Sequence, residues 1–151
     1  MTDGDPGPCA SRPMTAHLTV ARSDGSRPAE DEALSIRVRH EPEYVLVTVA
    51  GEVDFSTVAG LREPLFALAD TGRPLVADLD RVRFIDATGL GALAGAARRA
   101  AAHGAGLHVV CARPQIRRPF RLTGLDRTIP LAGSLTEALQ ALAAGTKAEA
   151  V

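Results

Sequence analysis

From Leu34 onward the apolar and polar positions follow a regular plan. Leu34-Ser35-Ile36-Arg37-Val38-Arg39-His40 alternates, the pattern of a strand with one face buried. Glu41-Pro42-Glu43 reads as a turn. Tyr44-Val45-Leu46-Val47-Thr48-Val49-Ala50 is almost continuously apolar and β-branched, as in a strand covered on both faces. So short a link makes these two strands antiparallel neighbours. The period then changes. Val58, Leu61, Leu65 and Leu68 mark one face of a helix. Ser56 or Thr57 is available as its N-cap, and Thr71-Gly72-Arg73-Pro74 ends it. Residues 75–79 form the next strand. Residues 80–85 read as a loop, with Phe84 and Ile85 anchoring it in the core. It leads to a helix from about Thr88, whose buried face is Leu90, Leu93, Ala94 and Ala97, and which stops at His103-Gly104-Ala105-Gly106. A strand over 107–111, a short helix over 114–123 closed by Gly124, and an edge strand over 128–131 follow. The capping box Ser134-Leu135-Thr136-Glu137 opens a last helix.

This order describes an α/β domain. Its sheet is mixed and mostly parallel, with four to five strands and four helices, and it starts with an antiparallel β-hairpin. The crossovers are right-handed. In such sheets sites gather beyond the carboxyl ends of the strands. The loops at 51–57 and 80–88 therefore bring Asp54 and Asp86 toward one rim. Residues 1–33 differ. Pro6, Pro8, Pro13 and Pro28 alternate with Gly4, Gly7 and Gly25, and the one apolar stretch is His17-Leu18-Thr19-Val20-Ala21. Such a composition buries too little apolar surface to offset ordering entropy. A disordered leader is expected over 1–33, one folded domain over 34–144, and a flexible tail over 145–151.

Composition narrows the function. Lys and Arg number 17 against 18 Asp and Glu, a formal net charge of −1. The chain thus lacks the global positive field of a non-specific nucleic-acid binder. Aromatic residues are 3% with no Trp, which argues against a base-stacking surface. No nucleic-acid partner is expected. No uncharged apolar run reaches the roughly 18 residues of a membrane span, so no membrane insertion is expected. The start carries no basic segment followed by an apolar one, which points to a cytoplasmic protein. Cys9 and Cys111 are too few for a disulfide framework or a cysteine zinc site. His17, His40, His103 and His108 are scattered with no HxxxH or HExxH, and His108 reads as structural. Cys111 reads as a small core residue. No Ser-His-Asp arrangement or close carboxylate pair stands out. The expectation is no catalysis, no cofactor and no metal.

The segment Phe84-Ile85-Asp86-Ala87-Thr88-Gly89-Leu90-Gly91 is the informative one. The Asp86 carboxylate can cap the helix by accepting free backbone N–H groups, with Thr88 in the first turn. Gly89 and Gly91 each lower helix propensity by roughly 1 kcal/mol. Either the glycines pack against the sheet, or something else comes close to the backbone there.

Gly51-Glu52-Val53-Asp54, followed about thirty residues later by Phe84-Ile85-Asp86-Ala87-Thr88-Gly89-Leu90, resembles the STAS domain of anti-sigma factor antagonists. The resemblance spans roughly residues 34–144 and includes the element order, Val109-Val110-Cys111, and the stretch from Phe120 to Leu125. It implies a STAS-like fold and a partner: an anti-sigma factor that is also a serine protein kinase of the ATP-binding type. Binding it releases a sigma factor. The resemblance places Asp54, Phe55, Ser56 and Thr57, with Asp86, Ala87, Thr88, Gly89 and Leu90, on the partner surface. It also implies a phosphorylated serine directly after the loop aspartate. Here that position is Ala87, which has no hydroxyl, and Thr88 stands one place later. Three readings follow: an unswitched antagonist that always binds, phosphorylation at Thr88 instead, or a scaffold that has lost partner switching.

Rival readings remain. A STAS adaptor of a stress-signalling complex or of a lipid-transport ATPase would share the fold. Gly89-Leu90-Gly91-Ala92-Leu93-Ala94 matches GxGxxA, but no acid follows at the end of the next strand, so a nucleotide-binding domain is disfavoured. Arg113, Arg117, Arg118 and Arg121 form a basic face on the short helix, read first as solvated. Oligomeric state is left open.

Overall fold

The computed structural model describes residues 14–20 and 34–150. The rest of the expected leader, Cys9 and Val151 lie outside the described residues. In chain order the elements are β1 (Met14–Val20), β2 (Leu34–His40), β3 (Val45–Val53), α1 (Val58–Ala69), β4 (Leu75–Ile85), α2 (Ala87–Ala102), β5 (Leu107–Val110), α3 (Pro114–Thr123), β6 (Leu131–Ala132) and α4 (Leu135–Ala150). A 3-10 turn over Leu125–Arg127 lies between α3 and β6.

The strands form a six-stranded sheet in sequence order. β1 runs antiparallel to β2, with Met14 opposite His40, and β2 antiparallel to β3, with Leu34 opposite Gly51. From β3 on the pairs are parallel: Val45 with Leu75, Leu75 with Leu107, Val109 with Leu131. This is the expected mixed α/β sheet with four helices, with one strand more than expected. The extra strand is β1, inside the segment expected to be a leader. Its short apolar stretch finds a ready partner in the edge of the β2–β3 hairpin. The tail also differs. α4 continues to Ala150, past the expected boundary at 144. The edge strand is β6 at Leu131–Ala132, where the Pro130 and Ala132 carbonyls accept from the Val109 and Cys111 amides.

The sheet has two unequal faces. On one face α1 and α2 cover Val47, Val49, Val53, Ala77, Leu79, Val82, Ile85 and Val109, all buried. α1 packs on β3, and α2 packs on β4 and β5 and against α1, so α2 buries a wide arc: Leu90, Ala92, Leu93, Ala96, Ala97 and Ala100. Ala94 is half-buried. Small residues let the two helices approach closely. A Cβ on Gly95 would stand 2.8 Å from Phe66 Cζ. Arg99 closes this contact, with its guanidinium 4.6 Å from the Phe66 ring centre and two hydrogen bonds of 3.1 Å to the Asp70 carboxylate.

On the other face α4 covers only the amino-terminal part of the sheet. Ala138, Leu135 and Leu139 pack on Leu46, Val76, Val110 and Ala132. The Ser134 hydroxyl accepts from the Glu137 amide at 3.1 Å, and the Glu137 carboxylate accepts from the Gly133 amide at 2.8 Å. The capping box therefore forms, shifted by one residue on its return bond.

β4 departs most from expectation. It does not end at residue 79 but runs to Ile85. The pairing with β3 shifts register twice, between Thr48 and Ala50 and between Gly51 and Glu52. Thr48 faces Asp78 while Val53 faces Ile85, so β4 carries an extra residue at each shift, a β-bulge. The bulges explain why Leu79, Val82 and Ile85 are all buried although they are spaced by three, where a regular strand alternates by two.

Candidate functional site

The carboxyl ends of β3 and β4 meet at one rim. The Asp86 amide donates to the Val53 carbonyl at 3.0 Å. This bond extends the β3–β4 pairing one residue beyond Val53–Ile85 and sets the two expected loops side by side.

The first loop is closed on itself. Thr57, 2% exposed, donates its hydroxyl to the Glu52 carbonyl at 2.8 Å and accepts from the Asp54 amide at 3.0 Å. It occupies the N-cap position of α1 yet makes no side-chain cap bond, because its hydroxyl is turned back to the strand end. Asp54 Oδ1 accepts from the Ser56 amide at 2.9 Å and the Ser56 hydroxyl at 2.7 Å. The Asp54 carbonyl accepts from the Thr57 and Val58 amides. Phe55, at the tip, is 80% exposed.

The second loop is a single residue. Asp86 is the N-cap of α2. Its Oδ1 accepts from the Thr88 amide at 2.9 Å, the Gly89 amide at 3.1 Å and the Thr88 hydroxyl at 2.6 Å. Ala87 and Thr88 are exposed. Gly89 is buried, and a Cβ there would stand 2.6 Å from Val53 Cγ1 and 2.7 Å from Ile85 Cγ1. The glycine thus exists for the sheet beneath it. Gly91 faces open space and leaves the outer surface of the first turns bare.

Both carboxyls sit below the usual carboxylate range. The Ser56 hydroxyl is the chief cause at Asp54, and the Thr88 hydroxyl at Asp86. The Asp54 charge acts the other way on Asp86, which places the two carboxylates within electrostatic reach of each other.

Of the residues expected on the partner surface, Asp54, Phe55, Ser56, Asp86, Ala87 and Thr88 line the rim. Thr57, Gly89 and Leu90 are buried and shape it from below. Leu90, 6% exposed, belongs to the core. Phe84 corrects the expectation in the opposite sense. It is 50% exposed, not a core anchor, because the second bulge sets it opposite Glu52 and away from the face where Ile85 is buried.

Residues outside the motif hold the rim in place. Arg113 Nη1 donates to the carbonyls of Asp80, at 3.1 Å, and Val82, at 2.5 Å. The Ala112 amide donates to Asp80 Oδ1 at 2.9 Å. Arg117 Nη1 donates to the Cys111 carbonyl at 2.7 Å. The expected basic face of α3 is therefore divided: Arg113 and Arg117 bind backbone, while Arg118 and Arg121 are exposed. The arginine spacing carried no sign of this, since Arg113 meets carbonyls at the bulges of β4 and Arg117 meets the carbonyl just past the end of β5. Cys111 is fully buried, and burial pushes its thiol up. His108 is pushed down by burial and its Nδ1 has no partner among the described residues. A cleft of about 470 Å³ lined by Tyr44, Pro74, Leu139 and Leu142 lies at the amino-terminal ends of β3 and β4, the opposite end from the rim. No helix among the described residues is long and apolar enough to cross a membrane.

The model of the STAS domain family matches residues 35–138. The anti-sigma-F factor antagonist RsfB of Mycobacterium tuberculosis is 30% identical over 115 residues, covering 76% of this chain and 93% of that protein. The anti-sigma-B factor antagonist of Bacillus subtilis is 31% identical over 98 residues, covering 65% and 90%. The crystal structure of an anti-sigma factor antagonist from Mycobacterium paratuberculosis superposes with a TM-score of 0.67 at 32% identity, covering 82% of this chain and 98% of that one. The fold, the paired loops and these likenesses agree: the chain belongs to the STAS domain family, alongside relatives that are anti-sigma factor antagonists.

Proposed function

We propose that this chain binds an anti-sigma factor, one that is also an ATP-binding serine protein kinase, and so releases a sigma factor. The contact surface in this reading is the rim of Asp54, Phe55, Ser56, Asp86, Ala87 and Thr88. The observation that carries it is the Asp86–Val53 hydrogen bond, which joins the two loops into one exposed, prefolded surface. Such a surface loses little conformational entropy on docking.

The same reading makes the chain unswitched. Ala87 stands directly after the loop aspartate with an exposed methyl group and nothing to phosphorylate. Thr88 is a poorer acceptor than its exposure suggests, since its hydroxyl already donates to Asp86 at 2.6 Å. A phosphoryl group there would remove that bond and add a charge of roughly −1.5 to −2 beside two ionised carboxylates. The Thr88 and Gly89 amides, which would otherwise receive a phosphate at the helix start, are taken by Asp86. The same occupancy weighs against a dinucleotide at this corner. A scaffold or adaptor role, in a stress-signalling complex or with a lipid-transport ATPase, remains the second reading, because it uses the same rim with another partner.

The test is a titration of the chain with its cognate anti-sigma factor, with and without ATP, followed by intact-mass measurement. The expected result is a complex that survives ATP, with no phosphate gained. Ala87→Ser is expected to gain one phosphate and to lose affinity. Stoichiometric phosphate on Thr88 of the unaltered chain would reject the unswitched reading, and no complex at all would reject the anti-sigma partner.

A further inference from the structure

We propose that the docking surface for the anti-sigma factor extends from the rim around the end of β4 onto the open sheet face, with Phe84 and Phe55 as its two apolar anchors. This rests on the anti-sigma reading of the rim and names the part of the surface where that partner's apolar contact is made.

Exposure of large apolar side chains is confined. Among the described residues they are Phe55, Phe84 and Leu122. Two of the three adjoin the paired loops: Phe55 follows Asp54, and Phe84 precedes Asp86 by two places. The chain has only four Phe, and another, Phe120, is fully buried. Phe84 is outward for a structural reason. With Val82 and Ile85 both turned to the core, the second bulge leaves Phe84 on the opposite face, in register with Glu52.

Among the described residues, no helix covers that face where Phe84 joins it. α4 packs on Leu46, Val76 and Val110, toward the amino ends of the strands. Farther along, Ser35, Arg37, Thr48, Ala50, Asp78 and Arg81 line a shallow open groove of about 270 Å³. Phe84 stands at the carboxyl end of this face. Beside it are the Glu52–Arg83 ion pair, 3.7 Å apart with both side chains about half exposed, and exposed Arg81. A ring set among charged, solvated neighbours has the anatomy of an interface hot spot, where an apolar anchor is ringed by polar groups that shut out water. Aromatic side chains carry large contact area at small entropy cost. The occupant is the anti-sigma factor because the patch is continuous with the rim: Glu52 pairs with Phe84, Val53 with Ile85, and the Asp86 amide then bonds the Val53 carbonyl. The complement is an apolar pocket with basic side chains at its edge, facing Glu52, Asp54 and Asp86.

The experiment is isothermal titration of the full chain with the purified anti-sigma factor, using wild type, Phe55→Ala, Phe84→Ala, the double alanine variant and Asp54→Lys. Each single alanine is expected to weaken binding by at least about tenfold, and the double variant by more. Thermal midpoints should stay near wild type, as both rings are exposed. If alanine unsettles β4, Phe84→Thr keeps a strand-favouring side chain and replaces it. Should Phe84→Ala bind like wild type while Phe55→Ala or Asp54→Lys loses binding, the extension to Phe84 is overturned and the rim stands. Should wild type itself not bind, the anti-sigma reading falls with it. Sedimentation of the chain alone completes the test: a dimer abolished by the double variant would assign the rings to a second copy and overturn the proposal.

Discussion

Val53 and Gly89 are in contact as closely as a backbone and a side chain allow. A methyl group on Gly89 would lie 2.6 Å from Val53 Cγ1 and 2.7 Å from Ile85 Cγ1. The start of α2 is thereby pressed onto the ends of β3 and β4, and the position of Asp86 follows from it. Gly89→Ala should therefore destabilise the chain by about 1–3 kcal/mol, the usual cost of overpacking. Gly91→Ala meets open space and should stabilise by up to about 1 kcal/mol through helix propensity. Urea unfolding of the two variants measures both, and equal effects would contradict this account of the turn.

Asp86 gives the fold an acid-sensitive element. Its folded carboxyl lies below the ordinary value, chiefly because the Thr88 hydroxyl and the Gly89 and Thr88 amides bind the ionised form. A lowered folded value contributes stability above the unfolded carboxyl range, near 4, and that stability is lost as pH falls through the folded value. Asp86→Ala should cost about 1 kcal/mol at neutral pH, as loss of an N-cap does. The difference from wild type should shrink as the pH is lowered below about 4. Unfolding midpoints across pH 2.5–7, a range spanning roughly the ordinary carboxylate value, read this directly; a constant difference would exclude the cap as its source.

Arg113 is expected to matter for the rim without lying in the motif. Its guanidinium holds the carbonyls of Asp80, within the first bulge of β4, and of Val82, where the second begins. Charged hydrogen bonds of this kind contribute roughly 1.5–3 kcal/mol. Arg113→Ala should lower stability by that order and speed amide exchange at Val82 and Asp86 more than at Val47. Arg118→Ala, altering an exposed side chain on the same helix, should change stability by less than about 0.5 kcal/mol. Similar losses from both would mean that Arg113 is not a staple.

Much of this architecture is written in local pattern. The alternation of Leu34 to His40 gives β2, the Val58, Leu61 and Leu65 stripe gives α1, and Asp86 announces its cap in the residues it precedes. The end of β4 is not written that way. Leu79, Val82 and Ile85 are spaced by three, a period that fits no regular strand, so the segment reads as loop and Phe84 as core. Only the pairing with β3, a long-range relation, creates the bulges and turns Phe84 outward. β1 escapes notice for a similar reason. Residues Met14–Val20 make a strand through their partner in β2, while their own neighbours in sequence are rich in Pro and Gly. Arg113 looks like any surface arginine until the bulge gives it two carbonyls to bind.

If the carboxyl-end rim is where this chain meets an anti-sigma factor, hydrogen exchange of the full chain, free and saturated with that partner, will show it. Slowed exchange is expected at amides from Asp54 to Thr57 and Asp86 to Gly89, extending to Phe84, with little change near Tyr44 and Leu139 at the far end of the sheet. Protection confined to that far end, with the rim exchanging as fast as in the free chain, would contradict it.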